Sequence, residues 1–177
     1  MSSARLFPVA LAAITACAAA NAEIPRPAVP AALAVPAGYE VQAAFGAAGV
    51  QIYRCLPSPA SSAVYVWTFI APEATLFNRS GRIAGHHFAG PTWQANDGSK
   101  VQGTVLARAA SSLPNTIPWL LLSAKVLQAG ETFENVAFVQ RLNTSGGAAP
   151  ATGCSSDAAD LEVRVPYTAD YYFYSAD

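Results

Sequence analysis

The sequence GHHFAGPTWQANDGSKV, residues 85–101, carries the clearest fold signal in the chain. Within it, residues 92–95 and 100–102 flank the tetrapeptide Asn96-Asp97-Gly98-Ser99. Asp and Gly both tolerate positive φ, and the Asp-Gly pair is typical of tight turns between antiparallel strands. The stretch therefore predicts a β-hairpin.

The rest of the chain continues this pattern of short strands separated by turn residues. Helical periodicity is weak, and turn signals recur about every 8–12 residues, as in antiparallel sandwiches and barrels. Pro72 is expected to end one strand, since proline cannot donate a hydrogen bond to a sheet. We predict an all-β single domain, either an antiparallel β-sandwich or barrel-like, with further strands over residues 49–55, 63–70, 74–78, 101–109, 117–126, 135–142, 161–167 and 170–174.

The first residues favour export. Arg5 precedes an apolar run too short to span a bilayer, and Ala20-Asn21-Ala22 fits a signal-peptidase site, so residues 1–22 are predicted to be a secretory signal peptide. In the alternative, Cys17 is lipidated and anchors the protein to the envelope. Residues 23–36 are predicted to be an extended, poorly packed leader rich in Pro and Ala, and residues 37–177 the all-β domain. We expect a secreted or periplasmic protein.

Composition limits the partners and predicts one covalent link. Without the signal, nine basic residues face eleven acidic ones, and no basic patch is visible, so nucleic acid is not an expected partner. No later segment is long and apolar enough for a membrane helix. Cys55 and Cys154 are then the only cysteines, which in an exported chain predicts one disulfide bond.

Several motifs together resemble one known family. The matching segments are Gly49-Val50-Gln51-Ile52-Tyr53 with Cys55, residues 85–103, residues 117–122, residues 140–150, Gly153-Cys154 and residues 165–174. This chain resembles the secreted bacterial and fungal family known as domain of unknown function 3455, over about residues 36–174. Some fungal members carry a malate dehydrogenase label. We do not transfer it, because the chain has no Gly-x-Gly-x-x-Gly turn, and we expect no cofactor.

The two histidines begin the candidate site. Neighbouring side chains on a strand point to opposite faces, so His86 and His87 cannot both bind one metal ion from the same side. We expect one to be packed and hydrogen-bonded inside and the other exposed, with no metal site and no assigned catalytic residue. Asp97 is expected to serve the turn, with a hydrogen-bonding role at a binding rim as its alternative.

Trp93 is interpreted as the best candidate for an exposed aromatic residue, with a position in the core as the equal alternative. Together with Gln94, Asp97 and His87 it would offer a sugar an apolar face and polar groups. These residues complete the first candidate site.

Arg141 and Asn143 form the second candidate site. Arg141 lies in an otherwise apolar strand, where an arginine is usually paired with a carboxylate or with loop carbonyls. We expect a structural clamp with Asp170 as the partner, and ligand binding is the alternative.

Three functions remain open. The first is a non-catalytic extracytoplasmic binding module for a glycan, an envelope component or a small ligand. The second is a hydrolase or metal-dependent enzyme that uses His86 or His87 with Asp97. The third is a structural surface protein. A binding module would show a shallow aromatic groove and no perturbed titratable pair. An enzyme would show a deep polar pocket where a histidine and a carboxylate converge, and a structural protein would show neither.

Overall fold

Eight antiparallel strands close into a barrel in the computed structural model, which describes residues 23–176. Each strand pairs with the next in the chain, and the last pairs with the first. The all-β prediction is confirmed, and of the two architectures the barrel is the one formed. The strands are β1 (Tyr39–Ser58), β2 (Ser61–Phe77), β3 (Ile83–Phe88), β4 (Thr92–Ala95), β5 (Lys100–Ala109), β6 (Trp119–Gln128), β7 (Val136–Gly146) and β8 (Glu162–Ala176), with short 3-10 turns at Ala31–Leu33 and Ser156–Ala158.

The predicted signal peptide and Cys17 lie outside the described residues. Within residues 23–176, no helix is long and apolar enough to cross a membrane.

Side chains alternate between the two faces of each strand, and those on the inner face fill the barrel. In β8, Tyr167, Ala169, Tyr171 and Phe173 are all buried in the main core, while their neighbours point outward. This period of two is what places one face of each strand inside a closed sheet. Eight strands enclose a space just wide enough for side chains or for one small ligand.

The predicted hairpin is confirmed, with β4 and β5 joined by residues 96–99. The expected end of a strand at Pro72 is wrong, because β2 continues to Phe77. Two features of the sheet tolerate this proline. β3 pairs only with residues 74–77 of β2, so Pro72 faces no β3 acceptor, and a bulge in the β1–β2 pairing lies directly beside it.

Most of the leader is exposed, as expected, but its last residues pack more closely than expected. Leu33 is 0% exposed and Val35 is buried, and both belong to a second apolar cluster on the outer face of the barrel. The carbonyl of Leu33 accepts a hydrogen bond of 2.6 Å from Gln140 Nε2, and the Tyr174 hydroxyl donates to Gln140 Oε1 at 2.6 Å. The leader covers Leu121 as well, so β6 is buried on both faces there.

The disulfide Cys55–Cys154 is present, with 5.4 Å between the Cα atoms. It fixes the long β7–β8 connection against the β1–β2 hairpin. The same connection is held by the Trp67 Nε1 hydrogen bond to the Thr152 carbonyl at 2.9 Å and by the Tyr53 hydroxyl, which donates to the Gly147 carbonyl at 2.7 Å.

Leu33→Ala is expected to lower the free energy of unfolding by about 2–5 kcal/mol, because it opens a cavity between the leader and the barrel. Urea unfolding measures the loss. Leu113→Ala is the matched control, since Leu113 is 51% exposed. Equal effects of the two substitutions would show that the leader does not stabilise the barrel.

Replacing both cysteines, Cys55→Ser with Cys154→Ser, is expected to lower the free energy of unfolding by about 4 kcal/mol. The reason is that the bond closes a loop of 99 residues in the unfolded chain. Denaturant titration of the oxidised protein and the double variant gives the difference. An unchanged midpoint would contradict the stabilising role.

Candidate functional site

A cavity of about 430 Å³ lies inside the barrel. It borders the place where the wall is incomplete: β1 and β2 have 20 and 17 residues, but β3 and β4 have only six and four. Phe69 and Ile70 of β2 line one side of it, and Gly90 and Pro91 of the β3–β4 turn line another. The short β3–β4 hairpin therefore leaves the cavity exposed at this end of the barrel.

The wall is mainly apolar, with a few polar groups. A row across β6, β7 and β8 presents Leu120, Arg141 and Tyr171, which are directly paired in the sheet. Such a mixture of apolar surface and sparse polar groups is typical of pockets for small molecules. The other lining residues are Gln51, Tyr53, Pro72, His87, Trp93, Val105, Arg108, Ile117, Pro118 and Leu122.

His87 is the interior histidine, 2% exposed, and His86 is exposed on the outer face, as the alternation predicts. His87 Nδ1 lies 2.9 Å from the Thr92 carbonyl oxygen. A carbonyl only accepts, so Nδ1 carries the proton and Nε2 keeps its lone pair in the neutral ring. Burial lowers the pKa of His87 to about 3, although the Thr92 hydrogen bond raises it, and the Arg141 charge lowers it further. His87 is therefore neutral at physiological pH.

Trp93 is buried at 1% exposure, so the core interpretation is correct and the interpretation as an exposed aromatic is wrong. It is paired with His87 across the β3–β4 hairpin, and the two rings stack with centroids 4.4 Å apart and an angle of 8° between planes. Gly103 makes room for it: a Cβ there would lie 3.0 Å from the Trp93 ring and 2.9 Å from Leu122. Closure of the barrel, rather than the polar local sequence, decides the position of this ring.

Arg141 points into the cavity, and its expected pairing with Asp170 is wrong. Its Nε and Nη2 donate to the Pro118 carbonyl at 3.2 and 2.9 Å, while Asp170 accepts from Asn143 Nδ2 at 2.8 Å. The β6–β7 pairing places Arg141 beside Leu120, two residues after Pro118. Within residues 23–176, no carboxylate forms an ion pair with Arg141.

The charge of Arg141 acts on the groups around it. Burial raises the pKa values of Tyr53 and Tyr171, and the Arg141 guanidinium opposes both shifts. Burial likewise raises the pKa of Tyr167, whose hydroxyl lies 3.3 Å from that of Tyr171. All three phenols are therefore neutral donors or acceptors near physiological pH.

Donors outnumber acceptors at this site. Gln51 Nε2 and Trp93 Nε1 are buried and make no hydrogen bond within the described residues. Arg108, which is exposed, adds a second positive charge to the lining, and none of the described lining residues is Asp or Glu. The cavity is electropositive and has donors to offer a ligand.

The other candidate residues are not part of the cavity. His86 and Gln94 are paired on the outward face, and Asn143 is exposed beside Asp170. Asp97 lies in the β4–β5 turn, at the end of the barrel opposite the β3–β4 turn.

The Asp97 carboxylate is fully engaged by the turn and its neighbour. It accepts hydrogen bonds from Ser99 N at 2.9 Å, Ser99 Oγ at 2.6 Å and Thr132 N at 2.8 Å. Partial burial raises the pKa of Asp97, but these hydrogen bonds outweigh it and lower the pKa to about 2. The structure brings Asp97 into no hydrogen bond with either histidine.

Sequence reasoning missed Gln51, Tyr53 and Tyr171 as lining residues. Each lies in a predicted strand, but the alternation alone could not show which face is interior or that the interior is incompletely filled. A glutamine at a buried position of an apolar strand, as at Gln51, is the signal that was available.

The neutrality of His87 predicts a pH dependence of stability. Its pKa is about 3 in the folded protein and about 6.5 when unfolded, so between these values only the unfolded chain binds the proton. The free energy of unfolding should therefore fall by up to about 1.4 kcal/mol per pH unit as pH decreases through this window. We expect His87→Phe to reduce that slope.

Urea unfolding at several values between about pH 4.5 and pH 7 measures the slope. His86→Gln is the control, because it removes the exposed histidine and leaves the buried one in place. If His87→Phe retains the slope of the unsubstituted protein, the buried histidine is not its source.

Comparison with known proteins agrees with the motifs. The model of a family described as "Protein of unknown function (DUF3455)" matches residues 36–175. No curated protein and no solved structure matches the chain. The match begins just before β1 and ends at residue 175, so it covers the barrel except for the last residue of β8. The chain therefore belongs to the DUF3455 family of proteins of unknown function.

Proposed function

We propose that the protein is a non-catalytic binding module that holds one small ligand inside the barrel. The observation that carries this proposal is the cavity of about 430 Å³, which falls in the size range of small-molecule sites. Of the ligands considered from the sequence, a small molecule fits best. Glycan binding by stacking would need an exposed aromatic ring, and Trp93 is buried.

The arrangement of polar groups favours binding over hydrolysis. General acid–base chemistry needs a histidine or carboxylate with a pKa near the working pH and a partner that orients it. His87 is neutral with its Nδ1 bound to a backbone carbonyl, and the Asp97 carboxylate is engaged elsewhere. In residues 23–176, no cluster of three or more His, Cys, Asp or Glu side chains could hold a metal ion.

Export of the protein belongs to the same proposal. The predicted signal peptide and the disulfide Cys55–Cys154 both fit an oxidising compartment, the periplasm or the exterior. The protein would then bind its ligand outside the cytoplasm.

Filling the cavity should abolish binding of a neutral apolar probe. Val105 lines the cavity and its neighbour Leu106 is 56% exposed, so Val105→Phe and Leu106→Phe form a matched pair. The fluorescence of N-phenyl-1-naphthylamine is expected to rise on binding to the unsubstituted protein and to Leu106→Phe, and not to Val105→Phe.

Circular dichroism of each variant, recorded before the fluorescence titration, tests whether the variant is folded. Equal binding by both variants would place the probe outside the barrel. Absence of binding by the unsubstituted protein would contradict the proposed function.

A further inference from the structure

We propose that the ligand is a small monocarboxylate with an apolar body, whose carboxylate is bound by Arg141. This inference rests on the proposed binding function and adds the chemical class of the ligand. It depends on the geometry of the guanidinium, the charge of the cavity and the character of the walls.

The guanidinium of Arg141 has one edge occupied and one edge open. Nε and one N–H of Nη2 share the Pro118 carbonyl, which fixes the plane of the group. In a planar guanidinium this leaves the two N–H groups of Nη1 and the second N–H of Nη2. The open end-on edge is the one that binds a carboxylate through two parallel hydrogen bonds.

The charge of the cavity favours an anion over a cation. A cation removed from water is costly unless an opposite charge and hydrogen bonds compensate it. Arg141 is partly buried, and the groups that compensate its charge in the described residues, the Pro118 carbonyl and the Tyr171 hydroxyl, are both neutral. Arg108 at the exposed end of the cavity has the same sign and would attract an anion toward the opening.

The walls define the rest of the ligand. Phe69, Ile70, Leu120 and Leu122 supply apolar surface to the cavity, so the body of the ligand is apolar. A carboxylate has two oxygens, which match one open guanidinium edge. A phosphate carries more charge and more acceptor oxygens than this single interior arginine can satisfy.

Two probes of the same shape, one anionic and one neutral, test whether the cavity prefers an anion. 2-Naphthoate is an anion, and 2-naphthamide is its neutral counterpart with the same aromatic body. Isothermal titration calorimetry with the full chain at pH 7 is expected to give a dissociation constant at least about tenfold lower for 2-naphthoate, as a charge-assisted hydrogen bond provides. This comparison requires no variant.

Substitutions of Arg141 then test whether this residue binds the carboxylate. Arg141→Met should remove the preference for 2-naphthoate while binding of 2-naphthamide persists, and Arg141→Lys should restore only part of it, because a lysine lacks the two-pronged edge. Arg82→Gln is the control, since Arg82 is exposed in the β2–β3 connection at the other end of the barrel. It should leave the preference unchanged.

The outcomes separate this inference from the proposed function. Equal affinity for the two naphthalene probes overturns the carboxylate assignment while the binding function stands. Tighter binding of 1-naphthyl phosphate than of 2-naphthoate also overturns it. If neither naphthalene probe nor N-phenyl-1-naphthylamine binds, both the inference and the proposed function fail.

Discussion

The pairing of β1 with β8 is the constraint on which the rest of the structure depends. This ladder runs from Tyr39 against Ala176 to Arg54 against Glu162 and converts a meander of eight strands into a closed wall. Closure removes both free sheet edges and separates every strand into an inner and an outer face. It also brings Gln51 and Tyr53 of β1 around the same interior as Tyr171 of β8.

Closure has a second consequence, since an interior charge can no longer reach bulk water freely. Arg141 is oriented by the Pro118 carbonyl rather than by a carboxylate, and the histidine nearby is held neutral. The short β3–β4 hairpin leaves the wall open beside these groups. An unpaired cation, neutral hydrogen-bonding groups and an opening are together the features from which we propose that the interior is a binding site instead of a filled core.

Several local signals in the sequence predicted the local structure correctly, although the one at Pro72 did not. The Asp97-Gly98 pair predicted a hairpin because a tight turn needs a residue that tolerates positive φ, and this need is met within four residues. Gly98 has a φ of 87°. The alternation of strand side chains predicted that one of His86 and His87 would be inside. The disulfide followed from the count of two cysteines in the chain without the predicted signal peptide.

Long-range features could not be predicted from the sequence. The burial of Trp93 depends on stacking with His87 and on space left by Gly103 in the next strand. The partner of Arg141 depends on the register between β6 and β7, which no local pattern reveals. The leader was expected to be extended and poorly packed because of its prolines, but its apolar side chains pack on an outer face that exists only after the barrel has closed.

A crystal structure of the protein with 2-naphthoate would test the central claim most directly. The account predicts the naphthalene ring inside the barrel and both carboxylate oxygens about 2.7–2.9 Å from the open edge of the Arg141 guanidinium. A ligand bound elsewhere, or bound in the cavity with its carboxylate turned away from Arg141, would contradict the account.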